Sequence, residues 1–183
     1  MNEYEKLIPE LTEWKKRNGS QFNIETWTEI EGNIKLAIGY SNLFWPDFIE
    51  HDNCIFLKSH FSIDNFELWE NTASNKNYAQ IESIMNHIHI VDLFATLAPP
   101  SRQSIYNKLF NRAVYRQEKI TKEQVIFLGN KLLEIYSAKL SIDYPEKRFD
   151  ISFDFIDNPD NIEDYQLTFC QSDNESRKTK YGS

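Results

Sequence analysis

Apolar positions along the chain recur at two spacings, and the change from one to the other predicts helices followed by strands. Tyr4, Leu7, Ile8, Leu11 and Trp14 repeat at helical spacing ahead of Asn18-Gly19, which predicts an amphipathic helix over residues 3–17. After an extended piece near Phe22 to Trp27, Ile34 to Phe44 reads as a second helix. Trp45-Pro46 closes it, because the residue before a proline is pushed out of the α region. Phe48-Ile49, the polar His51-Asp52-Asn53 and the run Cys54-Ile55-Phe56-Leu57 predict a short central strand or hairpin. Asp64-x-x-Glu67 reads as a cap for a short helix carrying Phe66, Leu68 and Trp69, with the polar stretch Asn71 to Asn77 as the loop behind it.

Ile81, Ile84, Met85, Ile88 and Val91 share one face of a helix expected over residues 78–97, which Pro99-Pro100 ends. Ser101 caps a further expected helix to Lys119. Thr121-x-x-Gln124 forms a capping box for another through Leu140, with Val125, Leu128, Leu132, Ile135 and Tyr136 as its buried stripe. Beyond Pro145 the spacing becomes two. Phe149, Ile151, Phe153 and Phe155 alternate with Asp150, Ser152 and Asp154, and Tyr165, Leu167 and Phe169 repeat the pattern after a polar loop. The expected fold is α+β: a mainly helical single domain over residues 1–171, with a short central strand or hairpin, a C-terminal antiparallel strand pair and a flexible polar tail over 172–183.

A length of 183 residues suits one core and is short for two. The start of the chain holds Glu3, Glu5, Glu10 and Glu13 and no long apolar run, so no secretory signal is expected and the chain reads as cytoplasmic. The most apolar stretch, Ile88 to Leu97, is broken by His89 and Asp92 and falls short of the ~20 residues that span a bilayer. Cys54 and Cys170 lie far apart with no C-x-x-C pairing and read as thiols. The net charge of −8 opposes nonspecific binding to nucleic acid or to an anionic membrane, so neither is expected as a partner. Charge is unevenly spread: residues 101–145 hold eight Lys or Arg against four Asp or Glu, whereas residues 146–175 hold two against nine.

Four groups of residues invite a chemical reading. Glu82, Asn86 and His89 fall on one face of the expected helix with Asp92 close by, so a carboxylate, an amide and an imidazole could converge for metal or proton chemistry. His87 and His89 would point about 160° apart on that helix, unlike the paired histidines of a zinc helix. A structural role at the boundary of the core is the stronger reading, and neither catalytic residue, metal nor cofactor is expected. His51-Asp52 reads as part of a turn rather than as a base with its orienter. The loop Asp157 to Asp164 is rich in oxygen, but Ile162 stands where a calcium loop needs glycine and Thr168 where it needs glutamate, so a solvated turn between strands is the stronger reading, ahead of an acidic surface that meets a basic partner. Lys108, Arg112, Arg116 and Lys119, with Tyr115 beside them, read as a solvated basic helix face rather than a phosphate track.

The stretch Leu43-Phe44-Trp45-Pro46-Asp47-Phe48 to Asn53-Cys54-Ile55-Phe56-Leu57, with Ile81-Glu82 to Asn86-His87-x-His89, resembles the small acidic immunity proteins that bacteria encode beside secreted toxins. The resemblance covers the middle third of the chain, and such families share no catalytic signature, so it assigns no functional residue. It implies a cytosolic, non-enzymatic binding protein that neutralises a basic toxin domain by covering its active surface. Asp150, Asp154, Asp157, Asp160, Glu163 and Asp164 would then form the steering surface, with an exposed Trp45 or Trp27 as an aromatic anchor. The alternatives are an enzyme using Glu82, His87, His89 and Asp92, and a scaffold or regulatory module.

Overall fold

A computed structural model describes residues 2–72, 77–93 and 120–172. The basic helix expected between Ser101 and Lys119 lies outside the described residues, as do the tail from residue 173 and most of the loop before Asn77. The chain divides at Pro46 into two compact units, residues 1–46 and residues 47–183.

The first unit is helical: α1 (Glu3–Leu7), α2 (Pro9–Asn18), α3 (Ile24–Glu31) and α4 (Ile34–Phe44). The single helix expected over 3–17 is thus two. Pro9 occupies the first turn of α2, where its missing N–H costs nothing, and forces Ile8 to φ −127° and ψ 84°, outside the helical region. The extended piece expected at Phe22 to Trp27 is mostly α3. Asn23 caps it by accepting the Thr26 N–H at 3.0 Å, a signal that the apolar spacing alone does not carry. Asn33 does the same for α4, accepting from the Lys35 N–H at 2.9 Å. On α4, Ile34, Leu36 and Ile38 remain exposed.

Among its described residues the second unit holds two small antiparallel sheets, one the expected central hairpin and the other the expected C-terminal strand pair with a third short strand beside it. The first is a hairpin of β1 (Phe48–His51) and β2 (Cys54–Leu57). Its two turn residues, Asp52 and Asn53, have φ of 54° and 66°, the left-handed pair that matches the twist of flanking strands. Lys147 holds the turn from outside, donating to the Asn53 carbonyl at 3.3 Å and pairing with Glu50 at 3.0 Å. Two helices follow, α5 (Ile63–Thr72) and α6 (Tyr78–Met85). Asp64 lies inside the first turn of α5, beyond the cap position, where its charge still suits the helix dipole.

The helix expected over 78–97 ends at Met85. Asn86 caps it, β3 (Ile88–His89) follows and Val91–Leu93 make a 3-10 turn. His87-Ile88-His89-Ile90 alternates, with Ile88 and Ile90 buried, so a spacing of two was present inside a stretch that also fits 3.6. The second sheet has the order β3-β5-β4, with β4 (Phe149–Phe155) and β5 (Tyr165–Gln171) paired in register from Phe149↔Gln171 to Phe155↔Tyr165.

α7 (Lys122–Asp143) opens on the expected capping box, in which Thr121 and Gln124 exchange hydrogen bonds, and runs three residues past Leu140. Its most buried stripe is Val125, Gly129, Leu132, Tyr136 and Leu140, while Leu128 and Ile135 lie at its half-buried margin. Phe48 links the sheets to this helix, its ring 6.2 Å from that of Tyr136 and 5.5 Å from that of Phe169. Burial pushes the Tyr136 phenol up to about 12. Beneath the hairpin, Phe56, Phe66, Tyr78 and Ile81 form the neighbouring cluster with Cys54.

Gly129 lets α7 approach β4. A Cβ built there would lie 2.2 Å from the Phe153 ring, so either the ring or the helix must move. Gly129→Ala is expected to lower stability by about 1–3 kcal/mol despite alanine's better helix propensity. Urea unfolding of Gly129→Ala checks this, and adding Phe153→Leu should restore most of the loss.

Candidate functional site

Glu82 and Asn86 are both fully buried, one helical turn apart on α6. They lie between the unpaired edges of two strands. In the hairpin, Ile55 and Leu57 turn their backbone groups away from β1; in the second sheet, Phe169 and Gln171 turn theirs away from β4. Asn86 acts as a peptide group would. Its Nδ2 donates to the Ile55 carbonyl at 2.8 Å and to the Phe169 carbonyl at 3.3 Å, while its Oδ1 accepts from the Leu57 N–H at 3.0 Å. Glu82 meets donors with both oxygens: the Ile55 N–H at 2.6 Å on Oε1, and on Oε2 the Gln171 N–H at 2.7 Å. Gln171 Nε2 adds a bond to Oε1 at 2.6 Å and another to the Asn53 carbonyl at 2.7 Å.

The expected convergence of Glu82, Asn86, His89 and Asp92 is therefore resolved into two separate roles. The first two residues face inward and bond backbone. The histidines leave the helix with the chain, which also overturns the expected 160° divergence: the His87 and His89 rings meet edge to face with centroids 5.5 Å apart. His87 Nδ1–H donates to the Ile84 carbonyl and His89 Nδ1–H to the Glu163 carbonyl at 2.8 Å, since a carbonyl can only accept. Asp92 is exposed on the 3-10 turn. Among the described residues no three His, Cys, Asp or Glu side chains are gathered to hold a metal ion.

His51 packs between aromatic rings, 4.8 Å from Phe66 and 5.3 Å from Phe61, and Asp52 belongs to the hairpin turn. Loss of hydration, and secondarily the nearby His87, hold the His60 imidazole below its ordinary value. Burial, with the charges of Glu82 and Asp150, pushes the Cys170 thiol up, which suits an unreactive boundary residue.

The acidic residues near the C-terminal strands divide into spent and open groups. Asp164 organises its own loop, accepting from the Asn158 N–H at 3.0 Å and from Asn161 Nδ2 at 2.8 Å. Asp160 pairs with Lys122 at 3.2 Å. Asp150, Asp154, Asp157 and Glu163 are exposed, and among the described residues none of them forms an ion pair. Trp45 and Trp27 belong to the first unit; Trp45 is 52% exposed and Trp27 half-buried.

The chain matches no protein-family model, no curated protein and no solved structure. No helix among the described residues is long and apolar enough to cross a membrane.

The bridging role of Glu82 and Asn86 had one signal in the sequence. Gln171 continues the phase of Tyr165, Leu167 and Phe169, which places a polar amide on the buried side of β5 and demands a buried partner for it.

Asn86→Asp turns a donor into an acceptor facing two carbonyls and is expected to cost about 2–4 kcal/mol; Glu82→Gln sets an amide N–H against backbone N–H groups with a similar loss. Replacing His87 or His89 by Gln should change stability by less than about 1 kcal/mol, because both rings are solvated. Urea midpoints of the four variants test the division of roles. The depressed His60 predicts a second result. Below its ordinary value of 6.5 the unfolded chain takes up the proton first, so stability falls as pH falls. Unfolding midpoints measured at about pH 7.5 and about pH 5.5 should drop for the parent protein and drop less for His60→Gln.

Proposed function

We propose that this chain is a binding protein rather than an enzyme: a cytosolic inhibitor of the immunity type, which neutralises a bacterial toxin by covering a basic active surface. The observation that carries the reading is the open carboxylate group on β4 and the loop after it. Asp150, Asp154, Asp157 and Glu163 are exposed and unneutralised among the described residues, on a chain of net charge −8. Uncompensated charge of one sign raises the encounter rate with a partner of the other sign and selects against wrong partners. The resemblance of the middle third to immunity proteins points the same way. So does the structural use of Glu82 and Asn86, which removes the most enzyme-like pair from solvent.

A nucleic-acid partner suits this face poorly, since phosphates would meet carboxylates. Asp160 and Asp164 contribute less than the other four, because one is paired with Lys122 and the other is occupied within its loop. Trp45 supplies an exposed aromatic surface in the first unit.

Co-expression with the product of the adjacent reading frame tests the reading. The expected outcome is that the neighbour arrests growth alone, that this chain restores growth and that the two co-purify. Asp150→Lys with Asp154→Lys should slow association on the order of tenfold at low salt, with a smaller effect at high salt. A neighbour that is harmless when expressed alone, or an association rate indifferent to the charge reversal, overturns the proposal.

A further inference from the structure

The β-edges of the second unit are not treated alike. The outward groups of β5 are met in turn: Ile90 N–H donates to the Tyr165 carbonyl at 3.1 Å, Ile88 pairs with Leu167, and Asn86 and Glu82 meet Phe169 and Gln171. Those of β2 are met by the same two side chains and, at the Leu57 carbonyl, by the His60 and Phe61 N–H groups. β4 differs. Ser172 N–H donates to the Arg148 carbonyl at 3.0 Å and Ile156 N–H to the Asp164 carbonyl at 3.1 Å, so the even-numbered residues between them face β5. Phe149, Ile151, Phe153 and Phe155 therefore turn their backbone N–H and C=O outward, where no described strand lies. Phe155 N–H is met by its neighbour Asp154 at 2.8 Å, whereas the backbone of Phe149, Ile151 and Phe153 has no partner on that side among the described residues.

We propose that this edge is a docking site for one extended segment of a basic protein partner, added to the sheet as a fourth strand beside β4. The inference rests on the acidic-face reading above and specifies how that face is used. Two features select the occupant. On one face, Asp150 and Asp154 stand four residues apart and exposed, so a strand laid alongside places its own residues opposite them, where Lys or Arg would be favoured. On the other face, half-buried Ile151 and Phe153 lie toward α7, so the two intervening positions of that face favour apolar side chains. The fitting pattern is basic, apolar, any residue, apolar, basic.

A second copy of this chain paired about the centre of β4 is disfavoured by the same row. The run Phe149-Asp150-Ile151-Ser152-Phe153-Asp154-Phe155 is nearly symmetric about Ser152, and antiparallel pairing of two copies about that centre sets Asp150 against Asp154 twice. Like charges directly opposite destabilise a pair of strands, so this register repels a second copy and accepts a basic strand.

The test uses the full-length protein and a capped heptapeptide, Thr-Lys-Val-Thr-Val-Lys-Thr, which reads the same in either strand direction. Amide hydrogen exchange and nitrogen-resolved NMR follow the complex. Ile151 and Phe153 amides should exchange freely in the protein alone and gain on the order of tenfold protection at saturating peptide, while Ser152 and Asp154, already bonded to β5, change little. N-methylation of the peptide on alternate residues, in the phase that faces β4, should abolish that protection. Asp150→Asn with Asp154→Asn should weaken binding about tenfold while the Ser152 amide of the free protein keeps its protection by β5.

Absence of binding at millimolar peptide overturns the inference, as does binding without protection of Ile151 and Phe153 or equal binding by the methylated peptide. The two proposals fail separately. A neighbouring-gene product that binds by charge while these amides stay unprotected removes the strand-addition site and leaves the inhibitor. Peptide docking as described, with no toxin neutralised, does the reverse.

Discussion

The second unit depends on one interaction, the insertion of two polar side chains of α6 between the edges of two sheets. A hairpin of two strands is marginal alone, and the three-stranded sheet exposes backbone where β3 stops after two residues. Burying those edges without partners would leave several N–H and C=O groups unsatisfied, at about 1–3 kcal/mol each. Glu82 and Asn86 supply acceptors and donors at the spacing that one helical turn provides, so α6 can cover both sheets while every described buried side-chain polar atom keeps a partner. The helix ends where it does because Asn86 serves as cap and edge partner at once, donating its own N–H to the Glu82 carbonyl at 2.8 Å.

This arrangement also explains which parts of the structure were legible beforehand. The C-terminal strands and α7 were readable, since Phe149 to Phe155 alternate cleanly and Thr121 with Gln124 is a two-way cap. The hairpin followed from its turn chemistry at Asp52-Asn53. The site was less legible for a physical reason: a carboxylate and an amide four residues apart on a helix are the pattern both of a catalytic face and of a buried bridge. Spacing cannot separate the two, because only the strands that approach that face decide whether it meets solvent. Similar ambiguity hid β3, whose Ile88 satisfies both a helical and an alternating reading. The divided first helix is a different case, because Pro9 stated the break and the apolar spacing across it concealed the statement.

Polar groups in this unit thus follow a rule of place. Where an edge is covered, its backbone is satisfied by side chains that arrive from a helix. At the outer edge of β4, where no described strand lies, Asp150 and Asp154 stand on the solvent side, and in the adjoining loop Asn158 and Asn161 accept the N–H groups of Asp160 and Glu163, whose side chains are exposed. Both arrangements solve the same problem, which is that exposed strand edges pair with whatever fits them.

The choice of acid at that edge carries information that the choice of lysine would not. Either sign of charge blunts pairing between copies, so self-avoidance alone leaves the sign open. On a chain already at −8, further negative charge at an open edge raises the mutual repulsion of native side chains, and placing lysine there would have lowered it. A row of aspartates is therefore the costlier solution to aggregation. That cost is what the proposed basic partner would offset: an open backbone edge with carboxylates along one face complements an extended basic segment better than a compact one.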